Sequence, residues 1–134
     1  MAYSLLRIVS SLAAMICLVT MFAGCTTGYK TISQAEAQKI INGKKDYILL
    51  DVRTPEEYEK KHIPNAVLLP IAEIKAGNVA ETLPDKKQKI LVYCWTGRRA
   101  EDSAIMLADM GYSNVISFGG LIDWTGDLEG TEAN

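Results

Sequence analysis

Reactive chemistry concentrates in one stretch of this chain, Cys94-Trp95-Thr96-Gly97-Arg98-Arg99-Ala100. It follows the apolar run Ile90-Leu91-Val92-Tyr93 and precedes a helical pattern that runs to Met110. A thiol at the end of a strand, in a loop that opens a helix, meets backbone N–H groups and the positive end of the helix dipole, both of which favour a thiolate. Cys94 is therefore a candidate nucleophile. The competing reading is a buried cysteine that fills the core as a small hydrophobe. Its position against Gly97, Arg98 and Arg99 argues for the nucleophile.

Other side chains are assigned around it. Arg99 is expected to bond loop carbonyls or a carboxylate such as Asp51 and so hold the loop in shape, because an inward-facing arginine needs a fixed partner. Arg98 and Trp95 are placed at the outer rim, where Arg98 could attract an anion and Trp95 could pack against it, or both are simply solvated. Asp51 and Arg53 follow an apolar strand and are read as braces. His62 is the single histidine, but a thiolate stabilised by backbone dipoles needs no dedicated base. One His and one domain Cys do not supply zinc-ligand spacing, so neither metal nor cofactor is expected. Glu56, Glu57, Glu59, Lys60 and Lys61 read as a solvated helix surface.

The 134 residues carry 14 basic and 16 acidic side chains, a formal net charge of −2, which suits one modest domain and offers no clustered basic footprint for nucleic acid. From Met1 to Gly24 the one charged side chain is Arg7, followed by the apolar run from Ile8 to Ala23, the pattern of a signal sequence. The run ends in Phe22-Ala23-Gly24-Cys25, which resembles the lipobox of bacterial lipoproteins, where the cysteine is lipidated and becomes the mature N-terminus. Cys25 is thus the expected lipid site and membrane tether. An uncleaved anchor and an ordinary signal peptide are the alternatives, since about 20 residues span a bilayer. Each route delivers the domain outside the cytoplasm, to the periplasm or the cell exterior. Cys17 lies in the leader and Cys25 at the lipid site, so Cys94 is the one thiol of the domain. Residues 25–30 read as a linker and 31–130 as the domain.

The domain alternates helices and strands. Ser33 with Glu36 and Thr54 with Glu57 form two capping boxes, the second with Pro55 at the first helical position. Helices are predicted from Ser33 to Asn42-Gly43, from Pro55 to about Lys61, and from Ala100 to Met110, with Gly111 as the C-terminal stop. A weakly helical region broken at Gly77-Asn78 extends to Leu83. Strands are predicted at Tyr47–Val52, Ala66–Leu69, Ile90–Tyr93 and Asn114–Phe118, after which Gly119-Gly120 turns the chain. The order implies an α/β fold: a mostly parallel central sheet flanked by helices on both sides, with ligand sites beyond the carboxyl ends of its strands.

The pattern Cys94-x-x-Gly97-x-Arg99-Ala100 resembles the active-site loop of the rhodanese family of sulfurtransferases. Leu50-Asp51-Val52-Arg53-Thr54-Pro55-Glu56-Glu57-Tyr58, then His62-Ile63-Pro64-Asn65-Ala66, is similar to the upstream signature of that family. Gly111-Tyr112-Ser113-Asn114-Val115 with Gly119-Gly120 and Trp124 is similar to its C-terminal half. Lys61 and Asn65 stand where the family often has glycine. The resemblance implies that Cys94 takes the outer sulfur of a small donor such as thiosulfate, holds it as a persulfide among the backbone amides of Trp95 to Ala100, and passes it to cyanide or a thiol. It implies a structural role for Asp51, Arg53 and His62. Two other classes are weighed beside it. A cysteine-dependent phosphatase or arsenate-handling enzyme is disfavoured because related phosphatases place Arg one residue further from Cys. A non-enzymatic persulfide carrier or redox sensor would keep Cys94 intact.

Overall fold

The computed structural model describes residues 28–43 and 46–133. The leader, Cys25 and the start of the linker lie outside the described residues. Five strands form one sheet: β1 (Tyr29–Thr31), β2 (Ile48–Asp51), β3 (Val67–Leu68), β4 (Ile90–Cys94) and β5 (Val115–Gly120). Their order is β1-β5-β4-β2-β3 and every pairing is parallel. Among the described residues there are four helices, α1 (Gln34–Ile41), α2 (Pro55–Lys60), α3 (Ile71–Ala76) and α4 (Arg98–Asp109), and a short 3-10 turn at Leu121–Asp123.

Strand alternation divides the core into two layers. From β4, Ile90, Val92 and Cys94 face a cluster with Leu50, Val52 and Val115 that α3 closes through Ile74 and α4 through Ala100, Ala104 and Leu107. Leu91 and Tyr93 face the opposite layer with Leu49, Ile116 and Phe118, closed by Ala37 of α1 and by Ile63, with Tyr58 of α2 at its margin. A strand that is covered on both faces reads as a continuous apolar run, which is why β2 and β4 stand out in the sequence.

Both capping boxes form. Ser33 Oγ accepts from the Glu36 amide at 3.2 Å while the Glu36 carboxylate accepts from the Ser33 amide at 2.9 Å. The Thr54–Glu57 pair repeats this at 3.3 and 3.1 Å. α3 ends at Gly77, whose φ of 82° is the left-handed conformation glycine adopts without penalty. The two departures from the family's glycines are both accommodated. Lys61 is extended (φ −161°), which any residue adopts, and Asn65 takes the left-handed region (φ 64°), which asparagine tolerates.

Several boundaries differ from expectation: the region expected to be weakly helical to Leu83 is helix only over Ile71–Ala76, β4 runs one residue further to Cys94, and three larger differences follow. Tyr29 and Lys30, read as linker, begin an edge strand paired to Val115 and Ile116. Strand β5 does not end at Phe118 but continues through Gly119 and Gly120, because Gly120 pairs with Cys94 across a register shift. Helix α4 starts at Arg98, two residues before the predicted start, so Arg98, Arg99 and Ala100 form its first turn. Beyond the 3-10 turn the chain returns to α2, where His62 and Glu129 exchange backbone hydrogen bonds of 2.7 and 2.8 Å.

Candidate active site

Cys94 is the last residue of β4 and lies at the carboxyl end of the parallel sheet. The chain then turns through Trp95, Thr96 and Gly97 into α4. Gly97 has φ 104° and ψ −20°, a left-handed conformation that aims its amide back at the preceding thiol: Gly97 N donates to Cys94 Sγ at 3.0 Å. α4 has no side-chain N-cap, and its first bond within this region runs from Glu101 N to Gly97 O at 3.0 Å. The amides of Arg98, Arg99 and Ala100 precede that bond and have no backbone partner among the described residues.

The loop rests on the end of β5. A Cβ at Gly97 would lie 3.0 Å from Gly119 Cα, and a Cβ at Gly120 would lie 2.0 Å from the Trp95 carbonyl oxygen. Ile122 N donates to that same oxygen at 3.1 Å, and Gln34 Nε2 donates to Gly120 O at 2.7 Å. The glycine pair is therefore a floor on which the loop sits, and the turn follows it. Cys94 itself has no accessible surface and packs in the α3–α4 core layer. Burial alone is what the core-filling reading anticipates; the amide hydrogen bond to sulfur is the added feature.

Trp95, Thr96 and Arg98 are exposed. A cleft of about 540 Å³ opens beside them, between Thr96, Gly97 and Arg98 on one wall and Ser117 and Gly119 on the other.

Arg99 finds a carboxylate, but it is not Asp51. Its Nη1 and Nη2 donate to the two oxygens of Glu57 at 2.8 and 2.9 Å, across 42 positions of sequence. Glu57 is thus not part of a solvated surface: the same carboxylate closes the Thr54 capping box and clamps the Cys94 loop to α2. The bond to Arg99 holds the Glu57 carboxyl at about 2, below its ordinary 4.5, and Glu57 in turn raises the guanidinium above its ordinary value.

Asp51 is engaged elsewhere. It forms a bidentate pair with Arg53, closest at 2.7 Å, with the two side chains 0 % and 2 % exposed. Arg53 also donates to the Lys61 carbonyl at 2.6 Å, which ties the Asp51–Arg53 pair to the turn after α2. The Tyr93 hydroxyl accepts from the Ile63 amide at 3.1 Å, and burial, with Asp51 nearby, pushes that phenol well up. His62 stacks on Tyr58, with ring centroids 3.8 Å apart, and its Nδ1 lies 2.8 Å from the Tyr58 carbonyl. Those partners hold it in the α2 turn, with no hydrogen bond to Cys94 among the described residues. Glu57 is the member of the site that sequence reasoning missed; its one signal was an N3 carboxylate whose second oxygen a capping box leaves free.

A model of the rhodanese-like domain matches residues 33–127. This chain belongs to the rhodanese-like family. Among relatives of this rhodanese-like domain, thiosulfate sulfurtransferase PspE of Escherichia coli K12 is 39% identical over 74 residues, covering 55% of this chain and 70% of that protein. Thiosulfate sulfurtransferase GlpE of Coxiella burnetii is 34% identical over 107 residues, covering 79% and 96%. Among solved structures, a rhodanese with anions from E. coli superposes with a TM-score of 0.58 at 34% identity, over 63% of this chain and 98% of that one. The rhodanese-like fold and a kinship with sulfurtransferases follow.

Proposed function

We propose that this domain is a sulfurtransferase that carries sulfane sulfur on Cys94. The observation that supports it most directly is the Gly97 amide on Cys94 Sγ at the uncapped start of α4. Thiolate attack on the outer sulfur of thiosulfate forms the Cys94 S–S bond and breaks the donor's S–S bond, with sulfite leaving on the electron pair. The terminal sulfur of the resulting persulfide is an anion, which the first-turn amides of α4 would stabilise as an anion nest does. Cyanide or a thiolate then attacks that sulfur and releases Cys94 thiolate. Two half-reactions on one sulfur make the kinetics ping-pong.

We infer also that the domain is exported and tethered through lipid on Cys25, on the strength of the leader and its Ala23-Gly24-Cys25 ending.

The decisive experiment incubates the purified domain with thiosulfate, reads the intact mass for one added sulfur, and assays thiocyanate after cyanide. The expected result is sulfur on wild type, none on Cys94→Ser, and thiocyanate released in step. Loading without turnover would leave a carrier in place of an enzyme, and loading of the Cys94→Ser variant would refute the assignment.

A further inference from the structure

The Arg99–Glu57 pair is the feature of the site that the sulfur chemistry does not by itself require. Arg99 stands in the first turn of α4, five positions after the thiol, and its backbone carbonyl is held by Ser103 Oγ at 2.7 Å. Its head group is held by a residue of a different element, α2, through two parallel charge-assisted bonds. Each partner is about one-third exposed, so the pair sits at the mouth of the site and not in the core.

Resting on the Cys94 reading above, we propose that Glu57 is a positioning residue for sulfur transfer: it fixes the Arg99 guanidinium beside the Cys94 loop and cancels the charge that Arg99 would otherwise present to an anionic donor. The loop then meets its substrate with oriented amides and a compensated ion pair in place of a free cation. This suits a site that must release sulfite and hold one monoanionic sulfur, since a free guanidinium would bind the oxygens of the dianion that has to depart.

The test is Glu57→Gln, which keeps a side-chain oxygen for the Thr54 amide and hence the capping box, compared with Glu57→Asp and with Arg99→Gln, alone and combined. Steady-state kinetics with thiosulfate and cyanide are run at low and high salt. For Glu57→Gln the inference expects kcat to fall about tenfold, the worth of a lost hydrogen bond between charged groups. It expects KM for thiosulfate to fall up to about fivefold and to become salt-dependent as the guanidinium is uncovered. Glu57→Asp should recover part of kcat and return KM towards wild type. Adding Glu57→Gln to Arg99→Gln should change nothing further, because Glu57 acts through Arg99.

A purely structural role would raise KM while kcat fell, without new salt dependence, and that outcome overturns the inference. So does an unchanged kcat in a variant that loads sulfur normally. Failure of wild type to load sulfur on Cys94 would instead sink the proposed function, so the two failures are distinguishable.

Discussion

Gly120→Ala isolates the contact between the loop and its floor. Gly120 has φ −149° and ψ 168°, extended backbone that alanine adopts freely, so conformation alone would make the change neutral or slightly stabilising. Space decides otherwise. The new methyl would lie 2.0 Å from the Trp95 oxygen, 2.3 Å from its carbonyl carbon and 2.7 Å from the Thr96 nitrogen, all of them backbone atoms with no rotamer to yield. Overpacking a well-filled site costs about 1–3 kcal/mol, and three backbone clashes place this one near 3. For a domain of this size that lowers Tm by roughly 12–24 °C. The loop must lift off β5, which displaces Gly97 N from Cys94 Sγ, so sulfur loading should fall with stability. Thermal melts and intact-mass loading at a temperature where the variant is still folded read both. Gly77→Ala is the control: its methyl meets open space and the cost, about 1 kcal/mol, comes from φ 82° alone. That variant should load sulfur normally. A Gly120→Ala protein that melts within about 4 °C of wild type, the span of 1 kcal/mol or less, and loads fully would refute the floor.

Three further outcomes are expected. Asp51→Ala strands a guanidinium that is 2 % exposed and should cost about 3–5 kcal/mol in urea melts, so a loss below about 1 would mean the pair is not what braces β2 to the α2 turn. Glu57 titrates near 2 when folded against 4.5 when free, so its contribution is complete above pH 4.5 and drains away as pH falls towards 2. Discounted for a pair one-third exposed, it is on the order of 1 kcal/mol; the stability gap between wild type and Glu57→Gln should be flat from pH 7 to 5, narrow below 4.5 and close towards pH 2, and a gap as wide at pH 3 as at pH 7 would contradict the pairing. Cys25→Ser should shift the protein from the membrane to the soluble fraction with Cys94 loading unchanged, whereas a bound fraction that persists would point to an uncleaved anchor.

What could be read in advance follows the range of the forces involved. Capping boxes, the buried runs of β2 and β4 and the stop at Gly77 are local, and each appears where residue type and spacing put it. β1 escaped notice because three residues on a sheet edge carry no period, and Tyr29-Lys30-Thr31 becomes a strand only through its pairing with β5. Gly119-Gly120 looked like a turn because glycine pairs commonly mark turns, whereas here the close approach of the Trp95 carbonyl demands Gly120 and a φ of 96° favours glycine at 119. The thiol, its loop and the outward Trp95 and Arg98 were legible from one short motif. Arg99's need for an acidic partner was legible too, but its identity was not: Asp51 was already spent on Arg53, two residues along, and only the tertiary fold brings α2 to α4.

The enclosure of Cys94 bears on how the protein keeps in storage and meets its neighbours. Joining two copies through a disulfide requires their sulfurs to come within about 2.05 Å, with both Cβ atoms suitably turned. A sulfur with no accessible surface cannot offer itself to a second macromolecule in this way. Cys94 should therefore form no intermolecular disulfide on exposure to air, and bulky alkylating reagents should label it far more slowly than iodoacetamide.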